Sequence, residues 1–226
     1  MTELHVLRVF IGPDGRGGNP LGVFLDGGAI PAERRQAVAR RLGFSETVFV
    51  DDIASGKIRI FTPGAELPFA GHPTVGTAWL LRTTGHEIAA LHPPAGEVRV
   101  RHDDERTWIR ADPAWVHQHR RERLVSPAAV EAFPPPRIGE TGIYVWAWLD
   151  EPAGDVRARY FATDYGIAED EATGAAAVAM GSDLRRDLTI HQWVGSEILV
   201  RPQPDGTIEI GGRVELAERR DDPGGV

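Results

Sequence analysis

The chain has 226 residues and a formal net charge of −8, enough for one large domain or two small lobes sharing a core. It contains no cysteine, which removes disulfides, thiolate metal sites and thiol catalysis together. No basic stripe stands out, no apolar run approaches the ~20 residues of a membrane span, and "MTELHVLRVF" lacks the pattern of a signal peptide. The composition therefore predicts a soluble cytoplasmic protein with neither nucleic acid nor membrane as partner.

In chain order, "LHVLRVFI" predicts a strand that ends at the turn cluster "GPDGRGGNP", and "LGVFLDG" predicts a second. "IPAERRQAVARRLGF" predicts a helix, with Pro31 at its start and Gly43 at its end. "ETVFVDD" and "KIRIFTP" alternate as strands, and "EVRVRHD" with "TWIRADP" predicts a hairpin. The Pro-rich stretch from Trp115 to Glu140 reads as a linker with a short helix at Pro127 to Phe133, and "RRER" within it as a solvated loop. "GIYVWAWLD" and "VRARYFA" predict strands and "TGAAAVAMGSDLRR" a helix. "SEILVRPQ" and "TIEIGGRVEL" predict a hairpin around "PDG". The boundaries expected are 1–113 and 114–216, followed by a frayed tail at 217–226.

An internal repeat organises these elements. "IFTPGAELPFAGHPTVGTAW" and "YFATDYGIAEDEATGAAAVA" each run from a strand ending in Phe (Phe61, Phe161), through a loop with an ionisable residue (His72, Asp170) and a threonine (Thr74, Thr173), past a glycine (Gly76, Gly174) and into an apolar helix. The offset is about one hundred residues, half of a two-lobed chain. Both helices are apolar nearly all round, so each must be buried on every side. The expected fold class is α+β: two pseudo-symmetric lobes, each a curled, mostly antiparallel sheet around a central apolar helix.

A helix start leaves backbone N–H groups unpaired and carries partial positive charge. Thr74 and Thr173 suit N-cap or first-turn positions. Two such starts facing one cleft would hold a carboxylate-bearing molecule without arginine, with His72 and Asp170 beside it. His117 and His119 of "HQH" read as surface loop residues, so no metal site is assigned. The glycines of "GPDGRGGNP" lack the Lys of a P-loop, and neither a dinucleotide fingerprint nor a G-x-S-x-G elbow is present.

These residues resemble the phenazine-biosynthesis PhzF-like family, whose fold is shared with diaminopimelate epimerase. The resemblance rests on "GNPLGVF", "FSETVFV", "RIFTPGAELPFAGHPTVGTA" and "RYFATDYGIAEDEATGAAA", in the family's order across most of the chain. It implies a site between two lobes, cofactor-free proton transfer on a small molecule, and a homodimer. It implies that Glu46, of "SET", moves the proton, and that His72 and Asp170 polarise or reprotonate the substrate. Asn19, Gly71, Thr74, Gly76, Thr173, Gly174 and Ala175 would shape the pocket. Three departures stand out. Ala175 replaces the usual serine after "ATG", Glu171 replaces the usual proline, and a strand-helix segment is expected to be missing between Gly142 and the "EDEATG" loop. The function implied is an isomerase acting on a small carboxylated, unsaturated or hydroxylated amino acid-like metabolite of secondary metabolism. A non-catalytic metabolite binder, a dehydratase and an epimerase stay open as alternatives.

Overall fold

The computed structural model describes residues 2–116 and 120–222. The first half of the chain comprises β1 (Thr2–Ile11), β2 (Gly17–Phe24), α1 (Ala32–Leu42), β3 (Glu46–Asp52), β4 (Lys57–Phe61), β5 (Glu66–Leu67), α2 (Gly71–Thr83), β6 (Ala90–Leu91), β7 (Val98–His102) and β8 (Thr107–Ala111). The second comprises β9 (Arg121–Arg123), α3 (Pro127–Glu131), β10 (Ile143–Asp150), β11 (Asp155–Phe161), α4 (Gly174–Leu184), β12 (Leu188–Gln192), β13 (Ser196–Pro202) and β14 (Ile208–Asp222). His117 and His119 lie outside the described residues. No helix among the described residues is long and apolar enough to cross a membrane.

The fold is α+β, and all the strands join one curled sheet. Its path runs β5-β4-β3-β2-β1-β14-β13-β12-β11-β10-β9, with β8, β7 and β6 branching from β14. Pairing is mostly antiparallel, with β2–β3, β9–β10 and β11–β12 parallel. β1, β2 and β3 are apolar on both faces because each face meets a helix. Leu7, Val9, Leu21, Val23, Val48 and Val50 belong to the core that holds α2. The alternate residues Leu4, Val6, Phe24 and Phe49 form a second cluster with Val38 and Ala39 of α1. This is the period-two pattern of a pleated strand. α1 is amphipathic and stops at Gly43, whose φ of 71° is the left-handed cap that glycine adopts freely.

α2 and α4 are buried along nearly their whole length, as their composition predicts. Each is wrapped by sheet, and their N-termini meet. A Cβ added to Gly71 would lie 2.9 Å from the Cα of Gly174, and one added to Gly174 would lie 2.9 Å from the main-chain N of His72. Only glycine at both positions permits this approach.

The repeat is present, but its register differs from the expected one. Thr47 pairs with Phe61 and Ile143 with Phe161. Ile60 pairs with Leu67, and Tyr160 bridges Asp170. Matching these pairs, and the mutual contact of Gly71 with Gly174, makes Glu46 the counterpart of Gly142, Leu67 of Asp170, and His72 of Ala175. The expected matches of His72 with Asp170, Thr74 with Thr173 and Gly76 with Gly174 are therefore superseded. They aligned residue types, whereas the helix starts are aligned by close packing.

Three further expectations are corrected. The tail does not fray from Ala217: β14 continues to Asp222, pairing Thr2 with Asp222 and Val6 with Glu218, and Asp222 is buried with Arg41 2.7 Å away. "RRER" is not merely a loop, because Arg121–Arg123 forms β9 on the edge beside β10. The hairpin of β10 and β11 is complete between Gly142 and the "EDEATG" loop. The contraction lies upstream of it, in β9 and α3, which are three and five residues long against eight and eleven for β2 and α1.

Gly71→Ala should destabilise the protein by about 1–3 kcal/mol, the usual range for overpacking. Gly64→Ala, whose nearest neighbour would be 3.9 Å away, should change little. Urea denaturation of the two variants makes the comparison; equal stability would mean that the helix mouths are further apart than described.

Candidate active site

The start of β2 organises the site. Glu46 follows Gly43 and Ser45 out of α1 and enters the sheet in parallel register with Leu21, so it lies beside Asn19 and Pro20. His72 is the second residue of α2, and its ring hydrogen-bonds to the main-chain carbonyl of Pro20. A carbonyl only accepts, so the ring nitrogen facing it carries the proton. Nε2 is left as a bare lone pair. It lies 3.4 Å from Oε2 of Glu46. Both atoms are buried and neither has a hydrogen-bond partner. The two side chains are 5% and 17% exposed, so bulk water does not satisfy them.

Asp170 arrives from the second repeat. Its N–H donates to the carbonyl of Tyr160 at 2.8 Å. Its carboxylate accepts from Asn19 Nδ2 at 2.8 Å and from the Thr173 hydroxyl. Asn19 also donates to the carbonyl of Ala172 at 3.0 Å, and its Oδ1 accepts from Ser45 Oγ at 2.9 Å. Asn19 thus ties the strand carrying Glu46 to the loop carrying Asp170.

The other expected site residues divide into two groups. Gly71 and Gly174 form the touching helix mouths, and Ala175 is half-buried in the first turn of α4. Thr173 occupies the N-cap of α4, but its hydroxyl serves Asp170 and not the helix N–H groups. Thr74 donates back to the carbonyl of Ala70 at 2.7 Å, so its hydroxyl is used within the helix. Gly76 is not at the mouth; a Cβ there would meet Leu21 and Val9 at 2.6 and 2.7 Å, which makes it a packing position. Among the described residues no group of three or more metal-ligating side chains is present. Cavities of about 750 Å³ beside Lys57 and about 340 Å³ beside Trp146 are lined by none of Glu46, His72 and Asp170.

Sequence reasoning missed Gln192. It is fully buried at the end of β12, a strand absent from the expected elements, and bonds to Thr173 and Asp170. The alternation of Leu188, Ile190 and Gln192 was the available signal.

The PhzC-PhzF family, phenazine biosynthesis-like protein, matches residues 12–116. An uncharacterised isomerase of Pasteurella multocida is 29% identical over 88% of this chain and 86% of its own. The trans-2,3-dihydro-3-hydroxyanthranilate isomerase of Pseudomonas aeruginosa is 31% identical over 80% of each chain. The chain belongs to the PhzC/PhzF family of isomerases. A phenazine biosynthesis PhzC/PhzF protein from Clostridium difficile superposes with a TM-score of 0.80 at 21% identity, covering 98% of this chain and 99% of that one. A hydroxyproline epimerase from Agrobacterium vitis, with bound trans-4-hydroxy-L-proline, gives 0.62 at 14% identity over 99% and 94%. These two structures share the fold.

In this PhzF-family chain the buried groups hold unusual charge states. Burial first, and then the charge of Asp170, pushes the Glu46 carboxyl up to about 8 against the pull of Ser45. Burial holds His72 down to about 3. Asp170 is pushed up to about 6 by burial and restrained by Thr173, Asn19 and the Glu171 N–H. At pH 7 Glu46 is therefore mostly protonated, His72 neutral and Asp170 mostly ionised.

A carboxyl whose pKa is higher folded than unfolded loses stabilising free energy as pH rises through the folded value. Above pH 7 Asp170 and His72 have largely finished titrating, so Glu46 dominates this group. Glu46→Gln should gain about 1 kcal/mol on the wild type between pH 7 and 8.5. Urea denaturation at the two pH values measures the difference, and a constant difference would contradict the raised Glu46 value.

Proposed function

We propose that this chain is an isomerase that works without a cofactor. It shifts a proton between two carbons of a small, carboxylate-bearing, unsaturated or hydroxylated amino acid-like metabolite, and Glu46 carries that proton. The observation behind this reading is the facing pair of Glu46 Oε2 and His72 Nε2, buried, 3.4 Å apart and both without a partner. A general acid/base works best with its pKa near the operating pH, and Glu46 at about 8 meets that condition.

The first-turn N–H groups of α2 and α4 receive the substrate carboxylate and the negative charge that develops as the C–H bond breaks. Ionised Asp170 pairs with a substrate ammonium using acceptor sites that Asn19 and Thr173 leave open. Glu46, as carboxylate, takes the proton from one carbon while the double bond shifts. Protonated, it returns the proton to the other carbon on the same face. His72 is neutral and cannot donate from Nε2, so it accepts a hydrogen bond from protonated Glu46 and steadies it between the two transfers.

The asymmetry of the repeat favours a shift on one face over inversion by two opposed bases. The counterpart of Glu46 is Gly142, where a Cβ would lie 2.6 Å from Asp164 Oδ1 and 2.7 Å from the Phe161 carbonyl. The counterpart of His72 is Ala175. The positions where a second base would complete the symmetry hold no ionisable group.

The test uses trans-2,3-dihydro-3-hydroxyanthranilate, the molecule named for the Pseudomonas relatives, in heavy water. Glu46→Gln should lower deuterium incorporation, read by NMR, by roughly 10²-fold or more, and wild-type kcat/KM should rise with pH to a plateau above about 8. Undiminished exchange in the folded variant rules out Glu46 as the base.

A further inference from the structure

Gln192 is completely buried at the end of β12, opposite Ser196 of β13. Its carboxamide makes three hydrogen bonds to one short loop. Oε1 accepts the Thr173 main-chain N–H at 3.2 Å. Nε2 donates to the main-chain carbonyl of Asp170 at 2.8 Å and to the Thr173 hydroxyl at 2.9 Å. A main-chain N–H only donates and a carbonyl only accepts, so these partners admit a single orientation of the amide. That orientation has a consequence one bond further on. The Thr173 oxygen accepts a hydrogen bond from Gln192, so its own O–H must point at its other neighbour and donate to the Asp170 carboxylate.

We propose that Gln192 is a positioning residue: the main chain fixes its amide, and the amide fixes the direction of the Thr173 hydroxyl, so that the Asp170 carboxylate always accepts its hydrogen bond. Gln192 itself does not touch the carboxylate. It acts on the reaction assigned above, and so rests on that reading, by keeping Asp170 ionised beside Glu46. The groups around Asp170 are Asn19 from β2, Glu46 from β3, Tyr144 from β10, Tyr160 from β11 and the neighbouring Glu171. None of these is a cation, so the anion depends on its hydrogen-bond donors.

Removing the amide donor frees the Thr173 hydroxyl to turn away, and the two carboxyls should then move in opposite directions. Asp170 takes up a proton more readily, and Glu46, relieved of its charged neighbour, gives one up more readily. Carboxyl carbon NMR titrations resolve each residue in the wild type, Gln192→Met, Gln192→Asn, Thr173→Val, and the Gln192→Met/Thr173→Val double variant. The Asp170 midpoint should rise by about one pH unit in each single variant while the Glu46 midpoint falls. Gln192→Met should add nothing in the Thr173→Val background. Gln192→Asn keeps a buried amide, withdrawn by one methylene, and provides a folded comparison if the methionine variant is unstable. An unmoved Asp170 midpoint in a folded Gln192 variant, or shifts that simply add in the double variant, overturns the proposal; either result would leave Gln192 as packing alone. Failure of Glu46 as the base shows up separately, as exchange persisting in Glu46→Gln with the Asp170 midpoint still responding to Gln192.

Discussion

The contact between Gly71 and Gly174 is the constraint on which the rest of the molecule depends. It brings the positive ends of two buried helices to a common point. Like partial charges facing each other are unfavourable, and no side chain lies between them to relieve this. Burial of α2 and α4 under the sheet offsets the cost, and what remains is a place where an anion is welcome. Side chains at either position would separate the mouths and blunt that preference.

Burial around these mouths sets the protonation pattern. Glu46 and Asp170 are carboxyls that cannot both ionise cheaply in one largely desolvated site. Their surroundings divide the work. Asp170 collects donors from Asn19 and Thr173, while Oε2 of Glu46 faces only the bare Nε2 of His72. One carboxyl is held as an anion, and the other is left with a proton it can exchange. Differences in environment, with no difference of functional group, give the two carboxyls opposite protonation preferences.

Much of this was legible in the sequence because it is local. The Gly43 stop, the apolar helices and the "SET", "GHPT" and "EDEATG" stretches all announce themselves within a few residues. What escaped depends on distant partners. Residues 217–222 look like a charged tail, and only their pairing with β1 makes them a strand. Thr74 and Thr173 look equivalent, yet one bonds into its own helix and the other to Asp170. Gln192 carries no chemical signature, because an amide is significant only once its three partners are known. Helix register across the repeat depends on a distant partner in the same way: residue types align Gly76 with Gly174, and packing aligns Gly71.

The contraction of the second repeat bears on catalysis less than its sequence suggests. It falls on β9 and α3, at the free edge of the sheet, and neither element carries a residue of the site. Glu46, His72 and Asn19 come from β3, α2 and β2, and Asp170, Thr173 and Gln192 come from the loop before α4 and from β12. Those segments keep their full pairing. A duplicated fold needs both copies to place two helix mouths against each other, but it needs acid/base groups from only one. The second copy is the shorter one where it contributes neither packing at the Gly71–Gly174 contact nor a residue of the candidate site.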